Sequence, residues 1–341
     1  MSRAYFCFLL LLLPVLGTQA LADGMLLTSP WYYVQETAQQ AILRHEAGAE
    51  TMTILPHFQG DANQFAWIVP LPAPPQVETA DVDLFRELDL MTRPLNRYRD
   101  SDWEGCNNTS VDYLVGSEDN GGIQIIDQQT VGYYDVMTVS AEESPALIDS
   151  LTQWGFLHDG NIDSAGEAID HYVQQGWSFA TVRIDTVSFH EAFPEDWYGS
   201  SYRGQLDPLK FTFASAEMIY PLRISAVSAA ESSEVVLYVA DAHRRHFEGA
   251  VTRYANRFTA TELAALDYPR AAAWLQEGEF LTHLRRDYAP QEMTMDLVVE
   301  RAASDEEFRH IIYSGMPWST LGLLGGPAAW FIWRRRSRPL P

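Results

Sequence analysis

The sequence predicts an α+β fold, mostly antiparallel sheet with grouped helices, followed by one C-terminal transmembrane helix. Three observations predict it. Apolar and polar residues alternate in several short runs, as half-buried strands require. Capped helical stretches fall in groups between the strands, which argues against a doubly wound parallel sheet. An uncharged run near the end of the chain is followed by clustered arginines.

The first element is a targeting signal. Arg3 supplies the positive start, Tyr5 to Leu16 the apolar run, and Ala20-Leu21-Ala22 a small-x-small cleavage site. Residues 1–22 therefore read as a signal peptide, with Asp23 as the mature start. Cys7 lies inside the apolar run and the residue directly after the cleavage site is Asp23, not cysteine, so lipid anchoring is not expected.

A strand is expected over Thr51–Leu55, then a turn at Gly60-Asp61 and a strand over Phe65–Val69. In that strand Phe65 and Trp67 share one side, Ala66 and Ile68 the other. Pro70, Pro72, Pro74 and Pro75 should end it, because proline removes ladder donors. Val82, Phe85 and Leu88 have helical spacing, with Asp81 at the start. Asp100 to Gly122 is polar and rich in Gly and Asn, and reads as an exposed loop.

Tyr133–Val139 should be a strand. A break between two lobes could fall at 141–144, or in the aperiodic stretch Phe193–Asp207. Ser144-Pro145 opens a helix whose inner face is Leu147, Leu151 and Trp154, and Gly155 stops it. Asp163 is expected to cap a second helix with Ala165, Ile169, Tyr172 and Val173 inward and Gly176 as its stop. Further strands are expected at Phe179–Val187 and Val235–Val239. Period-2 alternation also marks Leu209/Phe211/Phe213, Leu222/Ile224/Ala226 and Met293/Met295/Leu297/Val299. Thr259-x-x-Glu262 and Ser304-x-x-Glu307 have capping-box spacing.

At the other end, Pro317 to Trp333 carries no charge and is followed by Arg334, Arg335, Arg336 and Arg338. Seventeen residues span about 25 Å as a helix, slightly short for a hydrocarbon core of about 30 Å. Extension back to Ile311 would give ample length. Trp318, Trp330 and Trp333 suit the interfaces, and the arginines should stay cytoplasmic. The expected layout is an extracytoplasmic region at 23–310, a span at 317–333 and a cytoplasmic tail at 334–341. The same tail composition also fits a sorting signal removed after export.

Charge limits the partners. The chain carries −23; leaving out Arg3 and the four terminal arginines gives the exported part about −28. Nucleic acid is excluded, because phosphate binding needs a basic stripe. A lone Cys106 in the mature chain allows no internal disulfide.

One long stretch, "GDANQFAWIVPLPAPPQVETADVDLFRELDLMT", resembles the hallmark of a bacterial family known as domain of unknown function number 2330. "SPWYYVQETAQQAILRHEAG", "LTQWGFLHDGNIDSAGEAIDHYVQQGWSFATVRID" and "LDPLKFTFASAEMIYPLRISAVS" resemble it too. The resemblance runs from about residue 29 to residue 240. It implies an exported or membrane-anchored protein and supplies no catalytic residues. Many relatives look cysteine-rich after the signal peptide; "ADGMLLTSPWYY" here is not.

The sharpest chemical motif is "DGNIDSAGEAID". Asp159, Asn161, Asp163 and Asp170 occupy positions 1, 3, 5 and 12 of a calcium loop. Ser164 replaces the turn glycine and Asp the bidentate Glu, so a plain helix start is the preferred reading. Asp100, Asp102 and Glu104 match half of the pattern, but Val111 stands at its twelfth position. His243 and His246, with Asp241 nearby, are too few ligands for zinc, and Arg244 and Arg245 oppose a cation. There is no Gly-x-Ser-x-Gly, and Cys106 has no partner base. Glu191 with Glu195 is one of many chance carboxylate pairs. Gly121-Gly122 lies in an acidic loop that would repel phosphate.

No catalytic, cofactor-binding or metal residue is therefore assigned, and calcium is the one cofactor the sequence raises. The expected protein is an exported, single-pass inner-membrane protein with an acidic ectodomain in the periplasm or exterior. Binding or assembly at the cell envelope is preferred over catalysis. The alternative is an extracytoplasmic hydrolase using acidic residues or a divalent metal.

Overall fold

A computed structural model describes residues 24–62, 64–98, 129–131, 134–140, 144–185, 197–198, 201–229 and 232–314. The expected signal peptide, the run Pro317–Trp333, the terminal arginines, Cys106, the stretch from Asp100 to Gly122, and Glu191 with Glu195 lie outside them, as do residues 141–143 of the suggested break.

The described chain is a mixed α+β structure in four layers. A five-stranded sheet has the order β1 (Met25–Thr28), β4 (Gln64–Leu71), β9 (Ser178–Asp185), β8 (Tyr134–Val139), β7 (Gln129–Val131), antiparallel throughout. A ten-stranded sheet faces it. Its main path is β10 (Trp197–Tyr198), β11 (Ser201–Gln205), β3 (Ala49–Gly60), β2 (Val34–Glu46), β14 (Ser233–Asp241), β17 (Phe280–Tyr288), β16 (Val251–Arg257), β20 (Phe308–Arg309). Beside β3 runs β12 (Leu209–Ala214), which also pairs with β5 (Gln76–Thr79). Within this sheet β14 runs parallel to β2; its other named pairings are antiparallel. Three small ladders complete the set: β13 (Ile219–Tyr220) with β18 (Leu297–Val298), β15 (Arg245–His246) with β19 (Glu300–Arg301), and β6 (Leu95–Tyr98) parallel to β21 (Ile311–Ser314).

The alternation read from the sequence sets the layers. Phe65, Trp67 and Val69 of β4 enter the core between the sheets, with Met52, Ile54, Phe211 and Leu237 opposite. Ala66 and Ile68 point the other way, into the core beneath helices α2 (Ser144–Gln153) and α3 (Ile162–Gln174). A third core lies on the far face of the ten-stranded sheet. There α1 (Val82–Thr92) and a short α5 (Pro269–Trp274) cover Ile42, Leu55, Val236 and Tyr238. Trp67 is fully buried; emptying such a position costs about 3–5 kcal/mol. Pro70 does not stop β4, which continues to Leu71. Because β1 covers β4 only as far as Ile68, Pro70 sits where one edge of the strand is no longer laddered.

Helix punctuation behaves mostly as the residues dictate. The Asp81 carboxylate accepts from Asp83 N at 2.8 Å and caps α1. Gly155 and Gly176, at φ +76 and +75, stop α2 and α3 in the left-handed region that glycine enters freely. Thr259 and Glu262 close a capping box on α4 (Ala260–Ala264). Asp163, however, is not the cap of α3. Asn161 holds that position, and Asp163 lies in the first turn, where its charge suits the helix dipole.

Three expected elements are different. Leu222 to Ala226 is not a strand, because Arg223–Val227 winds as a 3-10 turn. The turn is held by side chains: Ser225 Oγ accepts from Gly24 N at 2.9 Å and Ser228 Oγ from Leu26 N at 3.0 Å. Along Met293–Val299 only Leu297–Val298 is laddered, and Met295 is exposed. Ser304–Glu307 forms no helix, because the Asp305 carboxylate is spent on His243 Nδ1 at 2.8 Å and Arg244 N at 3.1 Å.

No helix of the described residues is long and apolar enough to cross a membrane. The expected span cannot extend back to Ile311, because Ile311–Ser314 is strand β21.

Candidate functional site

Helix α3 buries Ala165, Ala168, Ile169 and Tyr172 against the five-stranded sheet. Its opposite face is polar, since Asp163, Glu167 and Asp170 recur at helical spacing with Gly166 between them. Together with His171, Gln174 and Arg223 they border an open depression of about 570 Å³. A second one of about 660 Å³ shares His171, Gln174 and Arg223. It continues along Trp177, Ile219, Thr294, Met295, Asp296 and Val298. The two form one groove between α3 and the segments around Arg223 and Asp296.

Asp296 is its chemical centre. Tyr172 reaches through from α3, and its hydroxyl donates to Asp296 Oδ1 at 2.7 Å. Arg223 N donates to the same oxygen at 3.0 Å. The Tyr172 oxygen in turn accepts from Ile224 N at 3.2 Å. Three distant segments are tied at one point, and Oδ2 makes no hydrogen bond with any described residue. Burial pushes the Asp296 carboxyl above its ordinary value, opposed by the Tyr172 and Arg223 hydrogen bonds. Burial, then the Asp296 charge, pushes the Tyr172 hydroxyl far up, so it stays a donor. Arg223 Nη1 donates to Thr294 O at 2.9 Å, which fixes its guanidinium on the groove wall. His171 Nε2 lies 2.8 Å from Gln175 Nε2, four residues on along the same face.

The lining thus offers carboxylates, one imidazole, one guanidinium and side-chain amides. That set binds polar groups by hydrogen bonds and ion pairs. Among the described residues no three or more His, Cys, Asp or Glu side chains are arranged to hold a metal ion.

The residues weighed in the sequence separate here. Asp163 and Asp170 stand on the groove wall, but as helical residues. Since α3 begins at Ile162, most of the twelve-residue motif is helix rather than loop. Asn161 is also committed: its Oδ1 accepts from His158 N at 2.9 Å and its Nδ2 donates to Phe156 O at 2.8 Å. Asp159 is exposed in the preceding turn. His243 pairs with Asp305, Asp241 with Arg245 at 2.8 Å, and His246 is exposed, so those three do not converge. Asp296, Arg223 and His171 carried no local signal. Tyr172 was legible as a core residue but not as a donor.

A family model described as an uncharacterised protein conserved in bacteria, DUF2330, matches residues 18–300. No curated protein matches the chain. Among solved structures, baculovirus P35 is similar at 12% identity and a TM-score of 0.33, covering 82% of this chain and 98% of that one. A mutated baculovirus P35 after caspase cleavage gives 11% and 0.33, covering 80% of this chain and 98% of that one. The caspase-8/P35 complex gives 9% and 0.31, with 80% and 94% covered.

Proposed function

The chain belongs to the DUF2330 family of uncharacterised bacterial proteins, and we propose that it is a non-enzymatic binding module tethered to the outer face of a membrane. The tether is the uncharged run Pro317–Trp333 with its arginine stop, and the leader is residues 1–22. The ligand surface is the groove beside α3.

One observation carries this reading. Asp296 is fixed through Oδ1 at the groove floor while Oδ2 has no described partner. A carboxylate positioned by a buried tyrosine costs little entropy to use, so it suits recognition of a donor group. Carboxylates outnumber cations along the lining, so the ligand class is a polar compound bearing amino and hydroxyl groups. The test is thermal shift of the full chain in detergent against amino sugars, polyamines and basic peptides. At least one should raise the melting temperature of the wild type and leave Asp296→Asn unmoved. If none shifts the wild type, or the variant responds equally, the groove is not the binding surface.

A hydrolytic reading draws on the raised Asp296 carboxyl, which would suit a general acid. It predicts turnover in a panel of glycoside, ester and peptide substrates that disappears in Asp296→Asn.

A further inference from the structure

Opposite the groove, the turn between β1 and β2 displays Trp31, Tyr32 and Tyr33, with Trp31 89% exposed. We propose that this end of the ten-stranded sheet rests on the lipid headgroup layer, with the three aromatics in the interface. The inference rests on the tethered reading above and adds which face of the domain meets the membrane.

The aromatics do not stand on a frayed loop. Tyr32 N donates to Ser29 O at 3.1 Å, Asp61 N donates to Tyr33 O at 3.1 Å, and Asp61 Oδ1 accepts from Tyr33 N at 2.8 Å. Gly60 permits that approach, since a Cβ there would overlap Tyr33 O. By backbone register Tyr202 of β11 lies opposite Gly60, and Trp197 of β10 opposite Tyr202, so more aromatic positions fall at this edge. Adjacent exposed aromatics on a fixed turn are costly in water and suited to a surface that is half apolar and half wet.

Strand directions supply the second argument. β2 leaves the turn, β14 runs with it, β17 returns, β16 reverses and β20 returns again. The chain therefore passes Phe308–Arg309 heading toward the end where β2 begins. It leaves the described structure at Ser314, with two residues between it and the start of the uncharged run at Pro317. The groove lies the other way. Glu50, near the far end of β2 and β3, bonds Ile219 on the groove wall, and β1 separates Gly24, bonded to Ser225, from the turn. A bilayer reached by the C-terminal run thus meets the aromatic end and leaves the groove open to solvent.

The test uses the full chain with Cys7 and Cys106 replaced by Ser, reconstituted in phosphatidylcholine nanodiscs. The lipid is zwitterionic because the exported part is strongly anionic. A nitroxide is placed at Trp31→Cys or, as control, at Met295→Cys, both exposed positions. At position 31 the label should be more accessible to oxygen and less to a water-soluble nickel complex, with the reverse at 295. Equal nickel exposure at both sites in disc-bound protein overturns the inference alone. Shielding of position 31 from both relaxants also overturns it, because the turn then docks on protein. Failure of the chain to enter discs overturns the tether, and the inference falls with it.

Discussion

The Tyr172 hydroxyl donates to Asp296 Oδ1 at 2.7 Å across 124 residues of sequence. This one bond joins α3 to the segment before β18, and its oxygen also satisfies Ile224 N. Tyr172→Phe removes both without changing ring packing. A loss of about 1–3 kcal/mol in urea unfolding is expected, the cost of leaving buried polar groups unpaired. Because the Tyr172 bond lowers the Asp296 pKa, the variant should also raise it further, as read by carboxyl NMR titration. An unchanged titration would mean that water replaces the hydroxyl.

Glu50 is a second buried carboxyl. Its Oε2 accepts from Ile219 N at 2.9 Å, while Oε1 has no hydrogen-bond partner among the described residues. Burial pushes its pKa up to about 8, against an ordinary 4.5. Between those values the unfolded chain has released a proton that the folded chain keeps. Stability from this group is therefore full below pH 4.5 and declines as pH rises to about 8. Glu50→Gln should remove that decline and stabilise the protein at pH 8 by a few kcal/mol at most. Parallel denaturant midpoints for variant and wild type from pH 5 to 8 would contradict it.

Much of the fold was legible because local chemistry and tertiary environment agree. The Asp81 cap, the Thr259–Glu262 box and the two faces of β4 needed only neighbours in sequence. The long strand β2 was not anticipated. Its "VQETAQQAILRHE" has the composition of a helix, and pairing with β3 and β14 overrides that preference. The 3-10 turn at Arg223–Val227 fails for the same reason, since hydroxyls of Ser225 and Ser228 recruit backbone from residues 24 and 26. The groove was illegible because its parts come from α3, Arg223 and Asp296, which no motif spacing connects.

Gly60 explains the "GD" that begins the family-like stretch more sharply than a turn preference does. A Cβ at this position would overlap Tyr33 O and lie 3.0 Å from Val34 Cα, both backbone atoms that cannot swing away. Gly60→Ala should therefore separate the ends of β2 and β3 and cost about 1–3 kcal/mol. Amide exchange should rise at Tyr33 and Asp61, whose N–H groups close this corner. Unchanged exchange there would show that the strands part without strain.

His57, three residues before Gly60 in β3, acts on the acid side. It lies in β3 opposite Ala38 and Gln205, and its Nε2 is buried with no hydrogen-bond partner among the described residues. Burial lowers its pKa to about 4 from an ordinary 6.5. Below pH 6.5 the unfolded chain takes up a proton that the folded chain refuses, so stability falls as pH drops toward 4. His283 acts in the same direction, lowered to about 3 by burial and by Arg253 and Arg285. His57→Leu deletes one contribution and leaves the other. Any packing difference of the leucine is independent of pH and cancels when the variant's advantage is compared at two pH values. That advantage should grow by about 1–3 kcal/mol between pH 8 and pH 4.5, read from paired urea curves. A flat difference would mean that the folded chain admits the proton on His57, through water or a local opening of β3.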